Sequence, residues 1–148
     1  MAFPSTGWFK KMLEDSLENT AAIDLNADTI KAALFTNSLG TADLDTNVGY
    51  GTTTPWNANE VTGTGYTAGG ATCATPTVTV ASGVVTFDAG DASWTTSTIT
   101  ARGVLLYDDT LATGSKYGIV AVNFGSDQAS VAGTFTIQWN ASGILTFT

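Results

Sequence analysis

The spacing of apolar positions changes once along this chain. Near the start Trp8, Phe9, Met12, Leu13 and Leu17, with Ser16 among them, follow the spacing of one helical face, and Thr6 or Ser5 in front can cap it. The pattern predicts one helix of about twelve residues. Glu14, Asp15 and Glu18 crowd its C-terminal end, where they oppose the helix dipole, so the helix needs a surface to pack on. That surface is either its own sheet or a neighbouring subunit.

Beyond residue 21 the reading is nearly all strand. Runs over 21–25 and 29–36 flank the turn-forming Asn26-Ala-Asp28. Runs over 76–80 and 84–87 flank Ala81-Ser82-Gly83, a hairpin signal. Residues 97–107 form a long strand, 108–115 a polar turn, 117–124 an apolar strand and 125–129 a loop. In 134–139 Phe135, Ile137 and Trp139 alternate on one face, and Asn140-Ala-Ser-Gly143 turns the chain into a last strand over 144–148. This predicts a mainly β fold, an antiparallel β-sandwich or jelly-roll-like domain of about eight strands with a short N-terminal helix. The expected layout is a helical arm over 1–20 and a single β-sandwich domain over 21–148. Residues 37–69, rich in Gly, Thr and Asn, read as a long ordered loop that makes contacts.

Two strands break the half-buried pattern. Val104-Leu-Leu-Tyr107 and Ile119-Val-Ala-Val122 have no polar parity, so both faces must be covered, by the helix and long loop or by a second subunit.

Composition narrows what such a domain does. Charged residues make up 12% of the 148, about half the ~25% usual for soluble proteins, while 27 are Thr and 16 are Gly. The surface is therefore largely uncharged. With no His and one Cys, Cys73, there is no Ser-His-Asp triad, no His zinc site and no internal disulfide. The net charge is −8, and no Lys or Arg lies between Lys31 and Arg102, which argues against nucleic acid as a partner. No run is apolar enough to predict a membrane-spanning helix, and Met1–Phe9 lacks the pattern of a secretory signal, so assembly in a cytoplasm is expected.

Candidate chemistry is thin. Asp24-x-Asn26-x-Asp28 and Asp43-x-Asp45-x-Asn47 copy the start of a calcium loop but lack its sixth-position Gly and twelfth-position Glu, so turn geometry accounts for them and no metal is expected. Asp108-Asp109, and Glu60 with Asp88 or Asp91, are carboxylate pairs with nothing to bring them into one cleft, and no cofactor or catalytic residue is assigned. Gly63-Thr-Gly65-Tyr-Thr-Ala-Gly69-Gly70 lacks a phosphate loop's Gly-Lys ending and reads as a turn bending back to the sheet. Cys73 reads as a small buried residue. Trp139 reads as core and Trp94 as undecided. Trp8 and Trp56, in helix and loop, suit an interface or a sugar-stacking platform, or simply cap the open ends of the sandwich.

Four segments carry a family resemblance. Asp28-Thr-Ile-Lys-Ala-Ala-Leu-Phe35 follows the helix, and then comes Asn59-Glu-Val-Thr-Gly-Thr-Gly-Tyr-Thr-Ala-Gly-Gly-Ala-Thr72. Ala92-Ser-Trp-Thr-Thr-Ser-Thr-Ile-Thr-Ala-Arg102 and Phe135-Thr-Ile-Gln-Trp-Asn-Ala-Ser-Gly-Ile-Leu-Thr-Phe147 complete the order. The chain resembles, over nearly its whole length, small structural, decoration-like virion proteins of tailed bacteriophages. The resemblance implies a particle component without enzymatic activity. The expected role is a capsid decoration (cement) protein that binds between capsomers, with the major capsid protein or another virion protein as partner. Such a protein is expected to form a homo-oligomer on the particle, with neither nucleic acid nor membrane as partner. The alternatives are a neck, tail or fibre-associated protein, and a carbohydrate-binding module for host attachment. The expected interface residues are Trp8, Phe9, Met12, Leu13 and Trp56, with Arg102 as a rim contact, and removal of residues 1–18 is expected to abolish binding while sparing the β-fold.

Overall fold

The computed structural model describes residues 3–40, 42–51, 54–111 and 116–148. The elements are β1 (Gly7–Trp8), α1 (Lys10–Leu17), β2 (Ile30–Phe35), β3 (Gly49–Tyr50), β4 (Ala71–Thr72), β5 (Thr77–Ala81), β6 (Val84–Asp88), β7 (Ala92–Asp108), β8 (Lys116–Ile137) and β9 (Leu145–Phe147). All pairings are antiparallel. The large sheet runs β1-β8-β7-β2-β4, with β3 also on β8, and the small sheet runs β5-β6-β9. The fold is mainly β and sandwich-like with one short helix near the N-terminus, in agreement with the sequence pattern.

The spine is the β7–β8 hairpin. Its base is buried on both sides, as the apolar runs at 104–107 and 119–122 require. One face carries Phe35, Gly103, Leu105, Tyr107 and Ala121, and the other carries Leu34, Val104, Leu106, Val120 and Val122. The first face is covered by the chain's own N-terminal segment and long loop. Gly103 and Gly118 leave room on the strands for aromatic rings. A Cβ on Gly103 would lie 2.5 Å from the Phe3 ring, and one on Gly118 would lie 2.7 Å from Phe9. Trp56 closes the cluster, with its ring 5.9, 5.6 and 5.3 Å from those of Phe3, Phe9 and Phe35. Its Nε1 has no acceptor among the described residues, so packing alone holds the indole. The second face looks to the small sheet, where Trp8 meets Phe147 edge-on at 5.3 Å.

Several local expectations change. The helix spans eight residues and starts at Lys10, not near Trp8. Trp8 sits instead in β1 opposite Val120, and the Phe9 N–H donates to the Ile119 carbonyl at 3.0 Å, so sheet pairing overrides the helical pattern there. Thr6 does not cap the helix; its Oγ1 accepts from Asn123 N–H at 3.0 Å. Residues 21–25 lie outside the strands, because Asp24 Oδ1 accepts from Asn26 N–H and Asp28 Oδ2 from Asp24 N–H in a turn. The expected loop over 125–129 is a bulge inside β8: from Ala101 to Gly103 β7 advances two residues while β8 goes back five, from Gln128 to Asn123. The polar turn expected over 108–115 begins after Asp108, which closes β7, and 112–115 lie outside the described residues.

The acids at the end of α1 serve the tertiary structure. Asp15 accepts from the Tyr117 hydroxyl at 2.6 Å and pairs with Lys11 at 2.8 Å. The Lys11 bond, seconded by Tyr117, holds the Asp15 carboxyl below the usual carboxylate range. The helix is thereby bolted to β8, and Phe3, Phe9 and Met12 of the expected N-terminal arm are buried in the chain's own core.

Removal of the aromatic cover should therefore unfold the chain, not free an arm. Trp56→Ala and Phe9→Ala should each cost about 3–5 kcal/mol in urea denaturation, and deletion of 1–18 should leave no cooperative transition. An unchanged midpoint for the deletion would show that the segment is separable.

Candidate functional site

Three of the residues first suited to an interface are buried in the chain itself. Phe9, Met12 and Trp56 are 0%, 5% and 1% exposed, so they fill this chain's own core and are not available as anchors. Leu13 is half-buried, and Trp8 is half-buried with Lys10 Nζ 4.7 Å over its ring. Arg102, expected as a rim contact, is a clamp within the chain. Its Nε donates to Asp127 Oδ1 at 2.7 Å and its Nη1 to the Gly125 carbonyl at 3.0 Å, pinning the β8 bulge it faces. Trp94, undecided from sequence, is buried between Tyr66 and Phe135.

The long loop is ordered by one carboxylate. Glu60 Oε2 accepts from Tyr50, and Oε1 accepts from both Tyr66 and Gly69 N–H, each at 2.7 Å. Tyr66 in turn accepts from Leu34 N–H at 2.9 Å, and Tyr107 donates to the Gly69 carbonyl at 2.8 Å. Tyr50 stacks on Tyr107 at 4.4 Å with Lys116 Nζ 5.6 Å away. Burial raises the hydroxyl pKa of all three tyrosines, which suits fixed donors and not acids. The Gly63–Gly70 run does bend back to the sheet: Gly70 has φ of +73°, and a Cβ there would strike the Ala32 carbonyl. The network positions the loop against the strands.

The acidic motifs stand in the same light. Asp43 Oδ1 accepts from Asp45 N–H at 2.8 Å and Oδ2 from Thr46 Oγ1 at 2.8 Å, an Asx turn like that at Asp24. Among the described residues no three metal-ligating side chains converge. Asp109 pairs with Lys31 at 2.7 Å and with Lys116. Burial raises the Cys73 thiol to about 11, leaving it un-ionised and inert.

What remains open is an edge. β5, Thr-Val-Thr-Val-Ala, ends the small sheet and is exposed at all five residues. Val78, Phe87 and Leu145 share one cross-strand row, and Val80, Val85 and Phe147 the next. Trp8 covers the Phe147 end of that second row, while Val80 at the other end is 73% exposed. The strand carries no charge, no proline and no bulge, the usual protections of an open edge. The hairpin is legible in the local pattern, but not the reach of its apolar row past its cover, because that depends on where Trp8 stops.

The carboxyl of Asp108 gives a stability test near the base of the spine. It is fully buried, and burial, reinforced by the Asp28 carboxyl beside it, pushes its pKa up to about 6 against the pull of the Thr110 N–H. Between pH 4 and 6 the folded chain holds a proton that the unfolded chain has lost. Stability from this group therefore falls as pH rises through that window and is lowest above it. Asp108→Asn should raise stability at pH 7.5 by about 2 kcal/mol, with the gain vanishing near pH 4. A gain independent of pH in denaturant melts would rule out this origin. Comparison with protein-family models, with curated proteins and with solved structures finds no match in any of the three.

Proposed function

We propose that the chain is a non-enzymatic structural protein of a tailed-bacteriophage particle, seated on the capsid as a decoration (cement) protein. The observation that carries this reading is the β5 edge, with its uncharged strand and an apolar row continuing past the cover its own chain provides. An edge of this kind is completed by another chain, through backbone pairing along β5 and burial of Val78 and Val80. Burial contributes about 25 cal/mol per Å², so a modest area suffices where many copies act together on one shell. The resemblance of the four segments to virion proteins supports the same assignment, as does a surface coated with Thr and Ser. The partner is the major capsid protein or another virion protein, the chain repeats as a homo-oligomer on the particle, and assembly takes place in the bacterial cytoplasm. The contact residues differ from those the sequence suggested: Val78 and Val80 replace Phe9, Met12 and Trp56.

Val80→Lys places a charge on this edge without touching the core. It should lower occupancy on particles lacking the native protein by about tenfold while leaving the melting temperature unchanged. Densitometry of purified particles should give a copy number on the scale of the capsomers. Ring-scale copies would point to a neck or tail component instead, and undiminished binding of the Val80→Lys protein would remove β5 as the contact.

A further inference from the structure

Beneath the bend of β8 lies a cleft of about 630 Å³, between the outer half of the long hairpin and the 139–144 turn. Its size falls within the ~300–1,000 Å³ of small-molecule sites. Its floor is apolar, with Val104 and Val122 from the spine, and its walls carry the half-buried rings of Phe124 and Trp139 beside buried Phe135. Around the rim stand three exposed amides, those of Gln128, Gln138 and Asn140.

Among the described residues no charged side chain lines the cleft, although the chain carries 13 acids and five bases. A phosphate, carboxylate or ammonium ligand would enter without a counter-charge and lose its hydration, which excludes ionic ligands on energetic grounds. A purely apolar ligand would strand the amides. Aromatic rings beside neutral amides match a ligand with apolar C–H faces and hydroxyl edges: the ring packs on the C–H face, and each amide both donates to and accepts from hydroxyls.

The site is also held in place before any ligand arrives. The Trp139 backbone N–H donates to Asp91 Oδ1 at 2.9 Å, which anchors the main chain at the residue that carries the indole. Asn140 Oδ1 accepts from Ser142 N–H at 2.8 Å, leaving its Nδ2 as a donor, and Gln128 Nε2 donates to Ser126 Oγ at 2.9 Å, leaving its Oε1 as an acceptor. Among the described residues the Gln138 side chain has no hydrogen-bond partner. The Arg102 clamp on residues 125–127 holds the bend that carries Phe124 on one side and Gln128 on the other.

We infer that this cleft binds a neutral saccharide. The inference stands apart from the capsid role, since β5 does not line the cleft, and it moves sugar recognition from Trp56, which is buried, to Trp139.

The test is titration of the full chain with neutral hexose and N-acetylhexosamine oligomers of about two to four units, read by calorimetry and Trp fluorescence, with sialylated oligomers as charged controls. Saturable binding to a neutral series is expected, weakened about tenfold in Gln138→Ala and abolished in Trp139→Ala. Gln138→Ala touches only an exposed side chain, so it decides the matter even if Trp139→Ala fails to fold. No response to any neutral series, binding unchanged in Gln138→Ala, or binding confined to charged oligomers would each overturn the inference. Loss of particle occupancy in Gln138→Ala without a glycan response would assign the cleft to a protein partner and overturn it equally.

Discussion

The base of the β7–β8 hairpin is apolar on both faces, and the rest of the fold follows from covering it. A sheet with one wet face would need only the small sheet opposite. Here Leu105 and Tyr107 face one way and Val104 and Leu106 the other, so a second layer is obligatory. The chain supplies it from two distant segments, Phe3 and Phe9 from the start and Trp56 from the long loop, which meet over Gly103 and Gly118. This explains why Phe3, Phe9 and Met12 belong to the core and why a loop so rich in Gly, Thr and Asn is nonetheless ordered.

Hydrogen bonding fixes what packing covers. Trp56 has apolar neighbours but no acceptor among the described residues, and by itself it would specify burial without register. Register comes from Glu60, whose three bonds tie the loop to the strands through Tyr50, Tyr66 and Gly69, and from Asp15, which ties the helix to Tyr117. Both acids look misplaced in sequence, one in an irregular loop and one at the wrong end of a helix. Each acts as an acceptor for tyrosine hydroxyls from other elements. In a chain with so few charges, two of its carboxylates are spent on holding the second layer in place.

Charged residues are few, at 12% of the chain, so both functional readings rest on uncharged groups. The β5 edge offers backbone and valine to another chain, and the cleft under the β8 bend offers rings and amides to a sugar. Arg102 links structure to the second of these, since the bulge it clamps creates the bend. The bulge was legible only as a loop, because Gly125, Ser126 and Asp127 are turn residues whether the strand ends there or kinks and continues.

Local pattern settled most of the longer strands, the β5–β6 hairpin, the role of the Asp24 and Asp43 turns, the inert Cys73 and the need to cover both faces of the spine. These depend on periodicity and turn chemistry, which act over a few residues. Tertiary structure alone decided what covers the second face, and so the status of Phe9, Met12 and Trp56: an aromatic in a loop reads the same whether it packs on its own sheet or on a neighbour. It also decided that Trp8 is strand and not helix, since one backbone bond to Ile119 and pairing with Val120 outweigh a marginal helical turn. The open edge and the cleft likewise arise where one element ends short of another, a distance between segments far apart in the chain that no local pattern carries.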